Sequence, residues 1–246
     1  MNSKPLSRDT TALKIVEQTG YRRGRGYILQ GLADTLLSLD QLESASKAAE
    51  EAQAIRSDLR EDNNLALSDM QMVVIRLEQG RLTEPEPLVR AAIDTFERVK
   101  LTELGATAHA VLTRILLAQG KVGDAQGAAR RALTLSRQTG NRPARFDATL
   151  ASARVKAASG KANEALQDLQ AMLAEVTKFG YLPYQFEARL AIGETEMQSG
   201  KSSTGARAWR RWRKTRGVKF FFSSPAKPLP RRRVQADNYF GEWWAL

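Results

Sequence analysis

Leu117-Ala118-Gln119-Gly120-Lys121-Val122-Gly123-Asp124-Ala125 returns forty residues later as Ala157-Ala158-Ser159-Gly160-Lys161-Ala162-Asn163-Glu164-Ala165. The central glycine recurs in Leu77-Glu78-Gln79-Gly80-Arg81 and in Met197-Gln198-Ser199-Gly200-Lys201, and Asp40 holds its place one period earlier, in Leu39-Asp40-Gln41-Leu42. A second landmark keeps the same period. Gln18-Thr19-Gly20 and Gln138-Thr139-Gly140 lie three periods apart, and Phe179-Gly180 follows one period later. Fixed periods of about 20 to 50 residues mark stacked supersecondary units, because one unit cannot bury its apolar face alone.

Between the landmarks, apolar residues fall at i, i+3, i+4, i+7, the period of an amphipathic helix. Each unit reads as two helices. The first carries large aliphatics, as in Ile28, Leu29, Leu32, Leu36 and Val111, Leu112, Ile115, Leu116. The second carries a stripe of small residues, Ala45, Ala48, Ala49, Ala52 and then Ala125, Ala128, Ala129, Ala132, which lets two helices approach closely. In the next copy the stripe becomes Ala165, Leu166, Leu169, Met172. The glycine between them suits the left-handed residue that ends a helix. First helices are expected near 24–39, 64–79, 104–119, 144–159 and 184–199, and second helices near 42–58, 84–98, 122–138 and 162–178. Pro85 and Pro87 are expected in a first turn, where backbone N–H groups lack intrahelical partners. Residues 10–19 read as a second helix without its first, so either that helix caps the array or upstream repeats are missing. Gly24-Arg25-Gly26, after Arg22-Arg23, reads as an inter-repeat loop.

Leu29, Leu32, Ala33, Leu36, then Asp40-Gln41-Leu42, then Ala45, Ala49, Ala52 resemble the tetratricopeptide repeat, and the Gly120 and Gly160 segments are similar to its turn signature. The resemblance covers roughly residues 10–205 and weakens in the second copy, where Pro85 replaces the usual alanine. A forty-residue period exceeds the usual value of about 34, as in the family's long-helix variants. What the resemblance implies is an all-α, right-handed solenoid of about five helical hairpins, without catalytic activity or cofactor, that binds a protein or peptide in a concave groove. Arrays of this kind resemble those that follow kinase or DNA-binding domains in bacterial signalling proteins, so a scaffold or sensing arm is expected.

In that family the first helices line the groove. Carried over copy by copy, the lining is Tyr27, Gln30, Asp34 and Leu37; Leu67, Met70, Val74 and Leu77; Thr107, Ala110, Arg114 and Leu117; Asp147, Leu150, Arg154 and Ala157; Glu187, Leu190, Glu194 and Met197. From these, Tyr27, Asp34, Leu67, Met70, Val74, Arg114, Leu150, Arg154 and Glu194 are the candidate partner contacts. Arg114 and Arg154 lie one period apart and should stack in adjacent repeats. Aligned guanidinium groups suit carboxylates on a partner; the alternative is that each pairs with neighbouring Asp147 or Glu187.

Composition narrows the rest. The chain has 246 residues and no cysteine, which excludes disulfides and thiolate metal sites and suits the cytoplasm. No apolar run approaches the roughly 18 residues of a spanning helix, so no membrane role is expected. The single histidine, His109, at an interior-facing position, reads as a packed residue, since acid–base catalysis needs partners within reach. No phosphate loop, zinc spacing or nucleophile elbow is present.

Net charge is +11, yet residues 202–246 hold 11 of the 38 Lys+Arg against 2 of the 27 Asp+Glu, together with all four tryptophans. Two readings of residues 206–246 compete. Trp209-Arg210-Arg211-Trp212-Arg213-Lys214 suits a nucleic-acid arm, with cations for phosphates and rings for bases; this makes a nucleic-acid-binding regulator the alternative function. Read one base early, however, the tryptophan codon always becomes Leu, Met or Val, and CGN arginine codons become Ser, Pro, Thr or Ala. With GC-rich codons the stretch then reads LAALEEDARGEVLLLIARKAAA, rich in helix formers, with leucines at positions 209 and 212, one period after Leu169 and Met172. A frameshift near Gly205 is the favoured expectation, with residues 213–246 disordered as written.

Overall fold

The computed structural model describes residues 4–200 other than 83. The tail, its expected disorder and the frameshift near Gly205 lie outside the described residues. Those residues form ten α-helices and no strand: α1 (Lys4–Thr19), α2 (Arg22–Ser38), α3 (Leu42–Asp58), α4 (Asp62–Glu78), α5 (Glu86–Arg98), α6 (Thr102–Ala118), α7 (Val122–Ser136), α8 (Arg142–Ala158), α9 (Ala162–Lys178) and α10 (Leu182–Gln198). First helices are α2, α4, α6, α8 and α10; α3, α5, α7 and α9 are the second helices, and α1, which begins at Lys4 rather than near residue 10, precedes them.

The turns explain the period. Gly80, Gly120, Gly160 and Gly200 end first helices at φ between 70° and 80°, and Gly20 and Gly180 end second helices in the same left-handed conformation. The Gly120 and Gly160 turns close the same way: Lys121 N–H donates to Leu116 O and Lys161 N–H to Lys156 O, both at 2.9 Å. These bonds satisfy carbonyls that a helix end would otherwise leave without donors. Asp40, Arg60 and Lys100 stand in for glycine at φ 59°, 55° and 59°. Asp tolerates that conformation, whereas a long side chain carries a Cβ penalty of about 1–2 kcal/mol there. Replacing both Arg60 and Lys100 by Gly is therefore expected to raise stability by about 1–2 kcal/mol in total, after the entropy cost of glycine. Urea unfolding checks this; an unchanged or lowered midpoint would contradict it.

Three local expectations need correction. Gly24-Arg25-Gly26 is not a loop but the first turn of α2. Helix continues through both glycines as α2 packs on α3; a Cβ on Gly26 would make only an ordinary contact, 3.5 Å, with Ile55 Cγ2, whereas one on Gly24 would collide with the Tyr21 ring. Helix α7 ends at Ser136, and Gly140 does not take the left-handed conformation, unlike Gly20 and Gly180. Pro85 lies just before α5, its carbonyl accepting from Val89 N–H, while Pro87 occupies the first turn as expected.

The chain divides into two compact units, one up to Thr95 and one from Phe96 onward. In the first, α1 packs on α2, α2 on α3 and α3 on α4. Its core joins Leu29, Ala33 and Leu36 to Ala45, Ala49 and Ala52, with Met72 and Ile75 completing it. In the second, α6 packs on α7 and α8, α8 on α9, and α10 on both α8 and α9. Phe146, Leu150, Leu169, Met172 and Val176 centre that core. The alanine stripes are fully buried (Ala45, Ala49, Ala52, Ala125, Ala132 and Ala165 all at 0% exposure), so the small residues are where helices meet.

Candidate functional site

First helices of the second unit set one line of polar side chains beside the next. Thr107 and Arg114 come from α6, Asp147 and Arg154 from α8, and Tyr184, Glu187 and Glu194 from α10. The forty-residue period puts each at the same height as its counterpart, and the result is a charge ladder. Thr107 Oγ1 donates to Asp147 Oδ2 at 3.3 Å. The Tyr184 hydroxyl donates to the same carboxyl, with the Arg114 charge nearby. Arg154 Nη2 donates to Glu187 Oε2 at 3.2 Å, and its Nε lies 3.6 Å from Glu194 Oε2.

Burial sets the electrostatics of this ladder. Side chains of Arg154 and Glu194 are only 10% and 12% exposed, whereas Glu187 is 39% exposed. Burial disfavours the charged form of Arg154, but Glu194 and Glu187 outweigh it and raise its pKa. Burial raises the Glu194 pKa, with Arg154 pulling the other way. Asp147 is pushed up to about 6 by burial, against the opposing hydrogen bonds from Tyr184 and Thr107 and the Arg114 charge. A carboxyl whose folded pKa exceeds its unfolded value favours the fold most when protonated. Stability contributed here is full below the unfolded value and is lost as pH rises towards and through 6. Asp147→Asn keeps an acceptor for both hydroxyls and cannot ionise. Its stability relative to the parent should increase by about 1–3 kcal/mol between pH 4 and pH 7. Urea titrations at the two pH values read this directly, and a difference independent of pH would contradict it.

Of the two readings of Arg114 and Arg154, the structure realises the pairing one for Arg154, which is held by Glu187 and Glu194. Other groove positions are not available to a partner. Leu150 is 5% exposed, Gln30 2%, Leu77 4%, Ala110 3% and Leu117 8%. A family position points toward the groove only if the neighbouring side chains leave it open; here Leu150 is closed over by α9 and α10, and Ala110 packs against Ala132, Ala148 and Ala151. Leu67, Met70 and Val74 on α4 are half-buried.

In the first unit, Tyr27 is 48% exposed and its hydroxyl accepts from Asn64 Nδ2 at 3.1 Å. Asp34 accepts from the Gln71 amide, which also donates to the Gln30 carbonyl. Beneath them lies a residue that sequence reading passed over. Arg56, on α3, is 1% exposed. Its Nη1 donates to Asn64 O at 2.9 Å and to Ser68 Oγ at 2.6 Å, its Nη2 to Gln30 Oε1, and its guanidinium lies 5.4 Å from the Tyr27 ring centroid. Burial lowers its pKa, with Tyr27, Glu61 and Asp34 opposing. The signal was present: at the same position of later units stand Phe96, Ser136 and Val176, all buried, so a charge there had to be built around. His109 is packed, with its side chain 13% exposed and Nε2 3.2 Å from Glu97 Oε1, an oxygen that Arg131 also reaches at 3.0 Å.

Two solved structures of TPR-like repeats, from a Podosopora anserina protein described as a kinesin light chain, are similar to this chain. One, a point-substituted form, aligns with a TM-score of 0.56 at 18% identity, covering 76% of this chain and 92% of that one. The other gives a TM-score of 0.54 at 18% identity, covering 76% and 94%. The fold is a TPR-like repeat. At this identity the likeness speaks for fold alone. No protein-family model matches the chain, and no curated protein matches it. No helix among the described residues is long and apolar enough to cross a membrane.

Proposed function

We propose that this TPR-like chain is a non-catalytic protein-interaction module, a scaffold or sensing arm of a cytoplasmic bacterial signalling assembly, that holds a partner peptide on the first-helix face of its second unit. One observation supports this reading above others: the polar ladder of Thr107, Arg114, Asp147, Arg154, Glu187 and Glu194 is aligned by the period on adjacent helices. Aligned groups at fixed spacing suit an extended or helical peptide. The expectation of a partner carboxylate drawn to Arg114 and Arg154 needs revision, because Arg154 already holds two glutamates. Three carboxylates face two guanidinium groups, and Glu187 is the more exposed of the Arg154 partners. A basic side chain on the partner, reaching Glu187, fits that balance.

Selection of peptides from a random displayed library against the full chain supplies the probe. Selected sequences should be enriched in Lys and Arg. Glu187→Gln should weaken their binding about tenfold, the value of one charge-assisted hydrogen bond of roughly 1.5 kcal/mol, and leave the unfolding midpoint almost unchanged. Equal affinity in the variant would remove Glu187 from the site.

The composition of residues 206–246 supports the second reading, a nucleic-acid-binding regulator. It requires salt-sensitive binding to DNA or RNA that disappears when those residues are deleted. Partner binding that survives the same deletion favours the peptide reading.

A further inference from the structure

In the second unit, the turns that join each second helix to the next first helix lie along one edge. Residues 99–101 join α5 to α6, residues 137–141 join α7 to α8, and residues 179–181 join α9 to α10. Contacts tie the three turns together. The Asn141 amide donates to Glu103 Oε1, and the Arg142 guanidinium lies over the Phe179 ring, 4.0 Å from its centroid. The carboxylates of this edge are already in use: Glu97 holds His109 and Arg131, Glu103 holds Asn141, and Glu175 holds Arg145. Lys100, Arg137, Arg142 and Lys178 are exposed and make no ion pair among the described residues.

Helix dipoles explain only part of this charge. A cation at a helix C-terminus is favoured there, which accounts for Arg137 and Lys178 at the ends of α7 and α9. Arg142, by contrast, is the first residue of α8, the end at which a cation is disfavoured. Lys100 takes φ 59°, a backbone conformation that suits glycine better. Apolar side chains stand among these cations: Leu101, Phe179 and Leu182 are 37%, 44% and 61% exposed. Cations interleaved with exposed apolar groups match anionic headgroups lying over acyl chains. Nucleic acid fits less well, because Arg142 already covers the Phe179 ring on which a base would stack.

We propose that this edge docks on an anionic lipid surface, with Arg142 and Lys178 meeting headgroups while Phe179 and Leu182 enter the interface. Such contact needs no spanning helix, and it does not rest on the peptide reading of the polar ladder. The chain has no cysteine, so Leu182→Cys in the full chain takes a single nitrobenzoxadiazole label. With vesicles of equal parts phosphatidylserine and phosphatidylcholine, emission should shift to the blue and brighten severalfold; phosphatidylcholine alone should leave it unchanged. The same label on Ser159→Cys, at the far end of α8 and about 25 Å from Arg142, should not respond. Adding Arg142→Gln and Lys178→Gln to the Leu182→Cys chain should raise the anionic lipid needed about thirtyfold, while the far-ultraviolet signal persists. Unchanged emission at position 182 with the anionic vesicles, even where the chain co-sediments with them, would overturn the proposal. So would an equal response at position 159, or an unchanged lipid requirement in the Gln variants. An equal response to single-stranded DNA would make the edge a general polyanion surface and overturn it too.

Discussion

Arg154→Ala is expected to lower the unfolding free energy by about 3 kcal/mol at neutral pH, the low end of the cost of breaking a buried ion pair. The guanidinium is 10% exposed and lies between Glu187 and Glu194. Its removal leaves Glu194, 12% exposed, as a carboxylate without its cation. Burial already raises the Glu194 pKa with Arg154 in place, so loss of the cation raises it further. The sign follows: the variant's deficit should shrink at pH 4, where Glu194 is protonated, and be full at pH 7. Glu194→Gln in the same chain should recover much of the loss. A solvent-exposed pair would be worth only about 0 to 1 kcal/mol; urea unfolding of the single and double variants decides between the two values. A loss below about 1 kcal/mol would return Arg154 to the surface class.

Phe146→Ala should cost about 3–5 kcal/mol, the range for emptying a buried aromatic site. Phe146 is 1% exposed, and its ring centroid lies 5.4 Å from that of Tyr181 and 5.1 Å from that of Tyr184, in edge and tilted arrangements. The cavity would open between α8, α9 and α10 and would loosen Tyr184, whose hydroxyl serves Asp147. The effect should therefore exceed simple area loss and reach the polar ladder. A midpoint shift equivalent to under about 1.5 kcal/mol, the cost of a tolerated volume-conserving swap, would mean that the site collapses without consequence.

Much of this fold was legible because the turn chemistry repeats. The second helices expected at 42–58 and 162–178 have those bounds in α3 and α9. First helices begin two residues earlier than expected, since Tyr21, Glu61, Leu101 and Tyr181 precede them without a side-chain cap and leave no local start signal. Among the first helices only α8 has a capping side chain, that of Asn141, accepting from Ala144 N–H at 2.8 Å. Gly24-Arg25-Gly26 reads as a loop from its two glycines, poor helix formers, yet the packing of α2 on α3 overrides that propensity. For the candidate site, the period aligned Arg114 with Arg154 but said nothing of depth. Whether Leu150 faces solvent or Phe146 depends on side chains from other helices, and Asp147 draws its third partner, Tyr184, from a position that no periodic rule picks out.

The central claim is that the first-helix face of the second unit receives the partner. Amide hydrogen exchange of the full chain, with and without a selected peptide at saturating concentration, tests it most directly. Exchange should slow along α6, α8 and α10, around Arg114, Asp147 and Glu187, and stay unchanged on α7 and α9. Protection confined to α7 and α9, or to residues 206–246, would contradict the claim.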